Sequence, residues 1–578
     1  MGILVYDMFS QVIYRTVSAA FFFILLSGLP PAARAQTTTA TWQWAARGSS
    51  SGTNNTDNSA YLIAADAAGN TVVAGTFSGT MALGSTTLAS TGVYSGCVAK
   101  YTPAGTMSWA QRLSSTAGTV YPTRLALDGA GNSYLTGEFY QNLTIGAVTL
   151  TDPLVMPGNI GQPNGFVLKL DAQGMVQWAL RLGGTQPQSI FHASCEGLAV
   201  DAAGNVAVTG YYQGNVELAG VPLPGNAAND TFYYVARLAN TSSAAPTVQW
   251  VRTAAGLSND RLADAAFGPT GELYASAILS RPMTFGAFTL PGVAAGVVMA
   301  VLQYDASGTV QWARQLANPL PTGVAAVHLF PCAMVADTTG VSMLLRASAF
   351  APSTTTAAQL VKLRPPGTPG WSYTTTVSQY EGVFQGLAAD ASGNLYVCGS
   401  VQGSATLGGL SLSSTTPATR DGMLLSFTAQ GSPRWGQVVS SGLGQELLVA
   451  VAASAPDQLH VAGYATGDAR LGSFSLPATA SNNEWLTGRL RVNVVTATQL
   501  ATASALHLAP NPAHNMALLT LPAAPTPQAF ALLDALGRPV RHYTVPAGAT
   551  TARLNVAGLP AGLYVLRGAG ASRKLVVE

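Results

Sequence analysis

IAADAAGNTVVAG at residues 63–75, LALDGAGNSYLTG at 125–137 and LAVDAAGNVAVTG at 198–210 are three copies of one pattern. LAADASGNLYVCG at 387–399 is a fourth close copy. Weaker ones are AAFGPTGELYASA at 265–277, MVADTTGVSMLL at 334–345 and VAASAPDQLHVAG at 451–463. Apolar residues alternate on both sides of an Asp-x-x-Gly turn, the pattern of a β-hairpin. Asp folds onto its own backbone as an Asx-turn, and Gly accepts positive φ. The turn glycine is Gly69, Gly131, Gly204, Gly271, Gly340 or Gly393, with Asp457 in its place in the last copy.

A second hairpin follows the first. It reads VAKYTPAGTMSWAQRL at 98–113, VLKLDAQGMVQWALRL at 167–182 and LQYDASGTVQWARQL at 302–316. Each unit therefore supplies four antiparallel strands, which is the sequence form of a propeller blade. Between the hairpins lie variable stretches such as MALGSTTL at 81–88, LTIGAVTL at 143–150 and MTFGAFTL at 283–290, where longer surface loops are expected. Seven first hairpins, seven third strands (the last EWLTGRL at 484–490) and seven Trp-bearing strands give one count. The tryptophans are Trp44, Trp109, Trp178, Trp250, Trp312, Trp371 and Trp435. The phase is offset, because TWQWAARG at 41–48 precedes any first hairpin and no Trp strand follows residue 490. This predicts an all-β chain whose residues 36–490 form a seven-bladed β-propeller closed by the N-terminal strand. Closure removes two exposed sheet edges.

The 578 residues are 48% hydrophobic and 9% charged, with a net charge of +2. Charged residues ordinarily make up about a quarter of a soluble chain. No Lys/Arg cluster is present, which argues against nucleic-acid binding and against an electrostatic membrane anchor. Residues 17–28, VSAAFFFILLSG, form a short apolar run after Arg15, and Ala33-Arg34-Ala35 follows. Residues 1–35 read as a signal peptide cleaved between Ala35 and Gln36. The run is too short for a comfortable span, so no transmembrane segment is expected in the mature chain. Cys97, Cys195, Cys332 and Cys398 lie in different units and read as buried thiols. They lack the close spacing of a zinc site. No metal or cofactor is expected, and the chain reads as a monomer.

Repeat character stops near 490, and residues 491–505 read as a linker. LHLAPNPAHNMALLTLP at 506–522, FALLDALGRPVRHYTV at 530–545 and LNVAGLPAGLYVLRGAGASRKLVVE at 554–578 alternate as strands and turns. Residues 506–578 are predicted to form a small Ig-like β-sandwich. Pro510-Asn511-Pro512, Leu533-Asp534 with Gly537-Arg538-Val540, Leu559-Pro560-Ala561-Gly562-Leu563-Tyr564 and Lys574-Leu575-Val576-Val577 carry a resemblance. The segment resembles the type A C-terminal sorting domain of the Bacteroidetes type IX secretion system. Ala509 stands where that family has Tyr. The resemblance implies the type IX machinery as a partner, export across the outer membrane, removal of this domain, and release or surface attachment. The Asp-x-x-Gly-Asn turns likewise resemble a β-propeller repeat of secreted bacterial proteins (SBBP-like). That resemblance implies a scaffold and no particular activity.

Reactive groups are sparse. His192, His328 and His460 are the only histidines before residue 491, each in a different unit. Asp66, Asp128, Asp201, Asp337 and Asp390, and Asp171 and Asp305, recur as turn residues, and Asp-Ala-Ala-Gly-Asn falls short of a calcium loop. Glu138, Glu196, Asp264 and Glu381 depart from the repeat and could supply a glycosidase pair. Gly48-Ser49-Ser50-Ser51-Gly52 matches a nucleophile elbow only formally, because no strand-to-helix turn surrounds it. Phe77, Phe139-Tyr140, Tyr211-Tyr212 and Tyr464 follow the second strand's last glycine, where they either pack between blades or stack on sugars or a protein. The sequence thus points to a non-catalytic exported protein binding an extracellular protein or glycan. The candidate contacts are Glu138, Tyr140, Glu196, Tyr211, Tyr212 and Tyr464. The rival readings are a polysaccharide hydrolase or lyase and a structural surface or matrix protein.

Overall fold

A computed structural model describes residues 37–578, apart from 52–57, 117, 155–160, 186–190, 225–230, 241–244, 257–260, 322–325, 327, 350–355, 378–381, 441–444, 479–482, 496–505, 536 and 569–570. The cleavage pair Ala35–Gln36 and most of the expected linker lie outside the described residues. Among the described residues every element is a strand, and no helix is long and apolar enough to cross a membrane. Residues 39–493 form one compact unit, and residues 494–578 belong to a second.

The larger unit is built from seven four-stranded antiparallel sheets. Sheet 3 is typical: His192–Val200, Val206–Gln213, Thr231–Ala239 and Thr247–Gly256, paired in chain order. The first strands of sheets 1 to 7 are Ser59–Ala65, Val120–Leu127, His192–Val200, Arg261–Phe267, His328–Asp337, Gly382–Ala389 and Gln445–Ala455. Each packs against the first strand of the next sheet, and the seventh packs against the first. Sheet 7 takes its fourth strand from the other end of the unit: Thr37–Ser50 lies beside Glu484–Val495. That third strand runs five residues beyond the expected end of the repeats at 490, and the Val492 amide donates to the Asp457 carbonyl.

The signature has a physical basis at both its ends. The turn Asp binds backward, with the Asn70 amide donating to Asp66 Oδ1 and its side chain to Oδ2. The same pair of bonds recurs at Asp128, Asp201 and Asp390. At the far end, each first strand carries a bulge at an equivalent place, for example between Ala60 and Leu62 or between Cys195 and Gly197. The bulge brings a first-strand carbonyl onto the last glycine of the signature. A Cβ on Gly75, Gly137, Gly210 or Gly463 would stand 2.0, 2.2, 2.0 or 1.8 Å from the oxygen of Ser59, Tyr121, Ser194 or Leu447. As the backbone stands at these four positions only glycine fits, whereas sheets 4 and 5 carry the same bulge with Ala277 and Leu345 at the equivalent place.

Tryptophans join successive sheets. Trp109, Trp250 and Trp371 donate their indole N–H groups to the carbonyls of Ala172, Ala306 and Ala429 in the next sheet. Their rings lie on Gly174, Gly308 and Gly431, whose added Cβ would meet ring carbon at 2.6 Å in each case. Trp44 of the N-terminal strand lies on Gly105 of sheet 1 in the same way.

The variable stretches are not the open loops expected. Thr80–Leu83 with Thr86–Ala89, and Asn142–Ile145 with Val148–Thr151, are short hairpins, and sheets 3, 4, 6 and 7 carry equivalents. Alternating Met81 and Leu83, or Leu143 and Ile145, are buried. The Thr80–Leu83 strand pairs with the end of the N-terminal strand, and Val216–Leu218 pairs with the end of sheet 2. Each of these two hairpins extends the sheet before it.

Two buried titratable groups give the larger unit opposite pH slopes. Glu446 is fully buried and neither carboxylate oxygen has a hydrogen-bond partner. Burial, then the charge of Asp421, pushes its pKa from 4.5 up to about 8, against the pull of Arg47. His460 is fully buried between the hydroxyls of Thr71 and Ser454. Burial, then Arg489, lowers its pKa from 6.5 to about 3, with Asp66 opposing. The unfolded chain releases the Glu446 proton first, so that stability falls as pH rises from about 4.5 to about 8. The unfolded chain also protonates His460 first, so that stability falls as pH drops from about 6.5 to about 3. Urea unfolding is expected to show maximal stability where the two ranges overlap and the slopes offset each other, near pH 5 to 6. Glu446→Gln is expected to flatten the alkaline side, a gain of order 2–4 kcal/mol at pH 8. Wild-type stability rising from pH 6 to 8 would contradict this assignment.

The smaller unit has a three-stranded sheet, His507–Ala509, Met516–Thr520 and Thr551–Asn555. Its four-stranded sheet orders Pro539–Val545, Gln528–Leu533, Gly562–Gly568 and Ala571–Val577. Leu508, Leu519 and Leu554 from the first meet Phe530, Leu566 and Leu575 from the second in one core.

Candidate functional site

Sheets 2 and 3 bring together residues that are distant in sequence. Glu138 ends the second strand of sheet 2, and His192 opens the first strand of sheet 3. Glu138 Oε1 lies 3.8 Å from His192 Nε2, and both side chains are partly exposed, 19% and 32%. The Tyr211 hydroxyl is 3.1 Å from the same nitrogen, and the two ring centroids are 4.9 Å apart. Tyr140, two residues after Glu138, is half-buried. Burial and then the Glu138 charge raise its pKa. Glu196 is the extra residue of the sheet 3 bulge, and Ser194 Oγ donates to its Oε1 at 3.1 Å.

Beneath this cluster Tyr234 donates its hydroxyl hydrogen to the Ser194 carbonyl and the Cys195 sulfur. Burial pushes the Cys195 thiol up to about 12, and the charges of Glu138 and Glu196 push the same way. A thiol held protonated is a packing group, not a nucleophile. Cys97 and Cys398 are likewise buried and form no disulfide.

Two aromatic candidates lie elsewhere. Tyr212 is fully buried, stacked on Phe232 at 5.5 Å, and its hydroxyl donates to the Pro224 carbonyl. Strand alternation turns Tyr211 to one face and Tyr212 to the other, so Tyr212 is a core residue and leaves the candidate contacts. Tyr464 is half-buried in sheet 7, paired with Leu447 and Trp485, and does not join the cluster. Glu381 and the side chain of His328 lie outside the described residues. His192 had no sequence signal, because its partner belongs to another repeat and the adjacency arises only when sheets 2 and 3 meet.

The turn carboxylates are occupied by more than their turns. Lys169 lies 3.8 Å from Asp128, Arg237 3.1 Å from Asp201 and Lys362 2.7 Å from Asp337. Each cation is the penultimate core position of the third strand in the same sheet. Sheet 4 has Gly268 at the Asp position and Gln303 at the cation position. Asp264 is buried and lies 3.3 Å from Arg124 of sheet 2. Burial raises its pKa, and Arg124 works against that. Among the described residues no group of three or more His, Cys, Asp or Glu could hold a metal ion.

In the smaller unit the two ends of the sorting motif touch. Asn511 Nδ2 donates to the Lys574 carbonyl at 2.9 Å, and its Oδ1 accepts from the Val576 amide at 2.8 Å. The side chain thereby occupies the open edge of the last strand as a neighbouring strand would. Pro512 leads into Ala513, which bridges to Val577. Gly537, at φ 79°, closes the Asp534 turn, and Arg538 returns to the Asp534 carboxylate. Gly562 opens the strand that carries buried Tyr564, whose hydroxyl donates to the Pro560 carbonyl. Leu575 and Val577 enter the core while Lys574 faces solvent.

No curated protein matches the chain. Among solved structures it is similar to a chain described as the extracellular domain of a hybrid two component system from B. thetaiotaomicron. That match has 8% identity and covers 92% of this chain and 99% of that one, with a TM-score of 0.17, too low to inform the fold. Residues 507–578 match the family model of the secretion system C-terminal sorting domain. The protein is therefore exported by type IX secretion to the cell surface or the extracellular space.

Proposed function

We propose that the exported chain is a seven-bladed β-propeller, residues 36–490, that binds a glycan or protein outside the cell and performs no chemistry. Residues 1–35 are its signal peptide, 491–505 its linker, and 506–578 an Ig-like sorting sandwich. The cyclic packing of the seven first strands supports the propeller reading. The binding reading rests on one observation: Glu138, His192 and Tyr211 form a partly exposed polar and aromatic cluster, while the turn carboxylates are bound internally. Tyrosine faces beside carboxylates suit sugar rings and their hydroxyls. A glycan and protein array is expected to show saturable binding that Tyr211→Ala weakens about tenfold, the loss of one stacking contact worth about 1.4 kcal/mol. Binding to nothing on the array, or binding indifferent to Tyr211, would reject the assignment.

The neighbouring carboxylates Glu138 and Glu196 favour one second reading, a polysaccharide hydrolase. Turnover of a polysaccharide panel that Glu138→Gln or Glu196→Gln abolishes would select it.

A further inference from the structure

We propose that the cavity over the first-hairpin turns of sheets 3 to 6 binds a neutral oligosaccharide. The cavity has a volume of about 750 Å³, inside the range for small-molecule pockets of about 300–1,000 Å³. It is lined by residues 201–203, 268–271, 337–339 and 390–393, with Ala429 and Gln430 from the second hairpin of sheet 6. Val200, also in the lining, ends the strand that His192 opens. The site therefore lies at the other end of sheet 3 from the Glu138–His192–Tyr211 cluster, roughly 26 Å away along a strand that rises ~3.3 Å per residue.

A departure from the repeat opens this space. The penultimate core position of the third strand is Lys100, Lys169, Arg237, Lys362 or Arg489 in sheets 1, 2, 3, 5 and 7. Those cations fill the region beside a first-hairpin turn. Lys100 Nζ donates to the Gly131 carbonyl, and Arg237 donates to the Gly271 carbonyl and to Asp201. The Arg489 guanidinium lies where a Cβ on Gly69 would meet it at 2.9 Å. Sheet 4 has Gln303 at this position, and its amide turns to the Tyr274 hydroxyl at 3.4 Å. Among the described residues, a Cβ added to Gly271 in the sheet 4 turn meets nothing within 4 Å.

The carboxylates of the lining are bound within the protein. Asp201 pairs with Arg237 and Asp337 with Lys362, and Asp390 accepts from the Asn394 side chain and the Tyr396 hydroxyl. Exposed Thr338, Ser392 and Gln430 supply hydroxyl and amide groups, set among the hydrocarbon of Ala202, Pro269 and Ala391. Hydroxyls and amides both donate and accept, as sugar hydroxyls do, and the hydrocarbon packs against sugar C–H groups. A uronate or a sulfated sugar is disfavoured. Three carboxylates border the cavity, and the buried Arg237 and Lys362 stand outside its lining.

The test is calorimetric titration of the full chain with cellotriose, maltotriose and mannotriose, and with trigalacturonate as the anionic counterpart. At least one neutral trisaccharide is expected to bind, and trigalacturonate to bind more weakly. Gln303→Lys installs the cation that other sheets carry and is expected to weaken the neutral binding at least tenfold. If Gln303→Lys does not fold, Ser392→Trp, which fills the cavity from an exposed turn, is expected to weaken it as much. Tyr211→Ala is expected to leave this binding unchanged, so the turn-face site and the Glu138–His192–Tyr211 cluster fail independently. Four results overturn the proposal: no neutral trisaccharide binds, trigalacturonate binds as tightly, Tyr211→Ala abolishes the binding, or Gln303→Lys and Ser392→Trp titrate as wild type does.

Discussion

A chain lacking residues 36–50 is expected to lose its cooperative unfolding transition. The deleted strand buries Trp42 and Trp44. Trp44 stacks on Tyr101 with centroids 5.4 Å apart, and Trp42 donates to the Val439 carbonyl. Large-to-small changes at buried aromatics cost about 3–5 kcal/mol each. The deletion also removes Arg47, whose guanidinium pairs with Glu484, a carboxylate with no exposure. Leaving a buried charge without its partner costs about 3–5 kcal/mol more. Total stabilities of domains lie near 5–15 kcal/mol, so these losses together consume the whole of it. Two bare sheet edges, on Glu484–Val495 and Thr80–Leu83, would also invite aggregation. Calorimetry and limited proteolysis of the truncated chain check this; a melting curve like wild type would show that the strand is dispensable.

The second large effect is expected from Gly463→Ala. The added methyl carbon would stand 1.8 Å from the Leu447 carbonyl oxygen and 3.1 Å from Leu448 Cα. Both are backbone atoms of the bulged strand, so no side chain can swing aside to relieve the clash. The backbone must instead shift, as in sheet 4, which keeps its bulge with Ala277 at this place, at a cost of about 2–3 kcal/mol. Gly537→Ala, where nothing lies within 4 Å but φ is positive, is the comparison. It is expected to cost about 1 kcal/mol. Equal midpoint shifts for the two variants in urea would sink the steric argument.

The two glycines also show what was legible in the sequence. The Asp-x-x-Gly-Asn turn is a local device, so its geometry could be read from thirteen residues. The terminal glycine of the same signature answers to a carbonyl on a bulge, and a bulge has no composition of its own. Trp44 stood out because it was out of phase, and the structure places its strand beside Glu484–Val495. The small hairpins read as loops in the sequence because two or three buried residues, such as Met81 and Leu83, make too short an alternation to separate from a polar stretch. Tyr212 resembles an exposed contact in the sequence because its neighbour Tyr211 shares its chemistry but faces the other way. His192 and Glu138, and Lys362 and Asp337, were invisible as pairs because each depends on strands that meet only in three dimensions.

The Asn511 clamp held two ends of a motif together within the smaller unit. The N-terminal strand does something comparable over far longer distances, and time enters with it. Trp42 bonds Val439 across 397 residues, and Trp485 donates to Thr76 across 409. Closing a chain segment of that length forms late, because the loop entropy must be met before the contacts repay it. The first strand to leave the ribosome therefore waits, unpaired, for nearly the last. Until then sheet 7 is a three-stranded fragment with an open side, although clusters between earlier sheets are already complete. Completion of sheet 7 is therefore a late event.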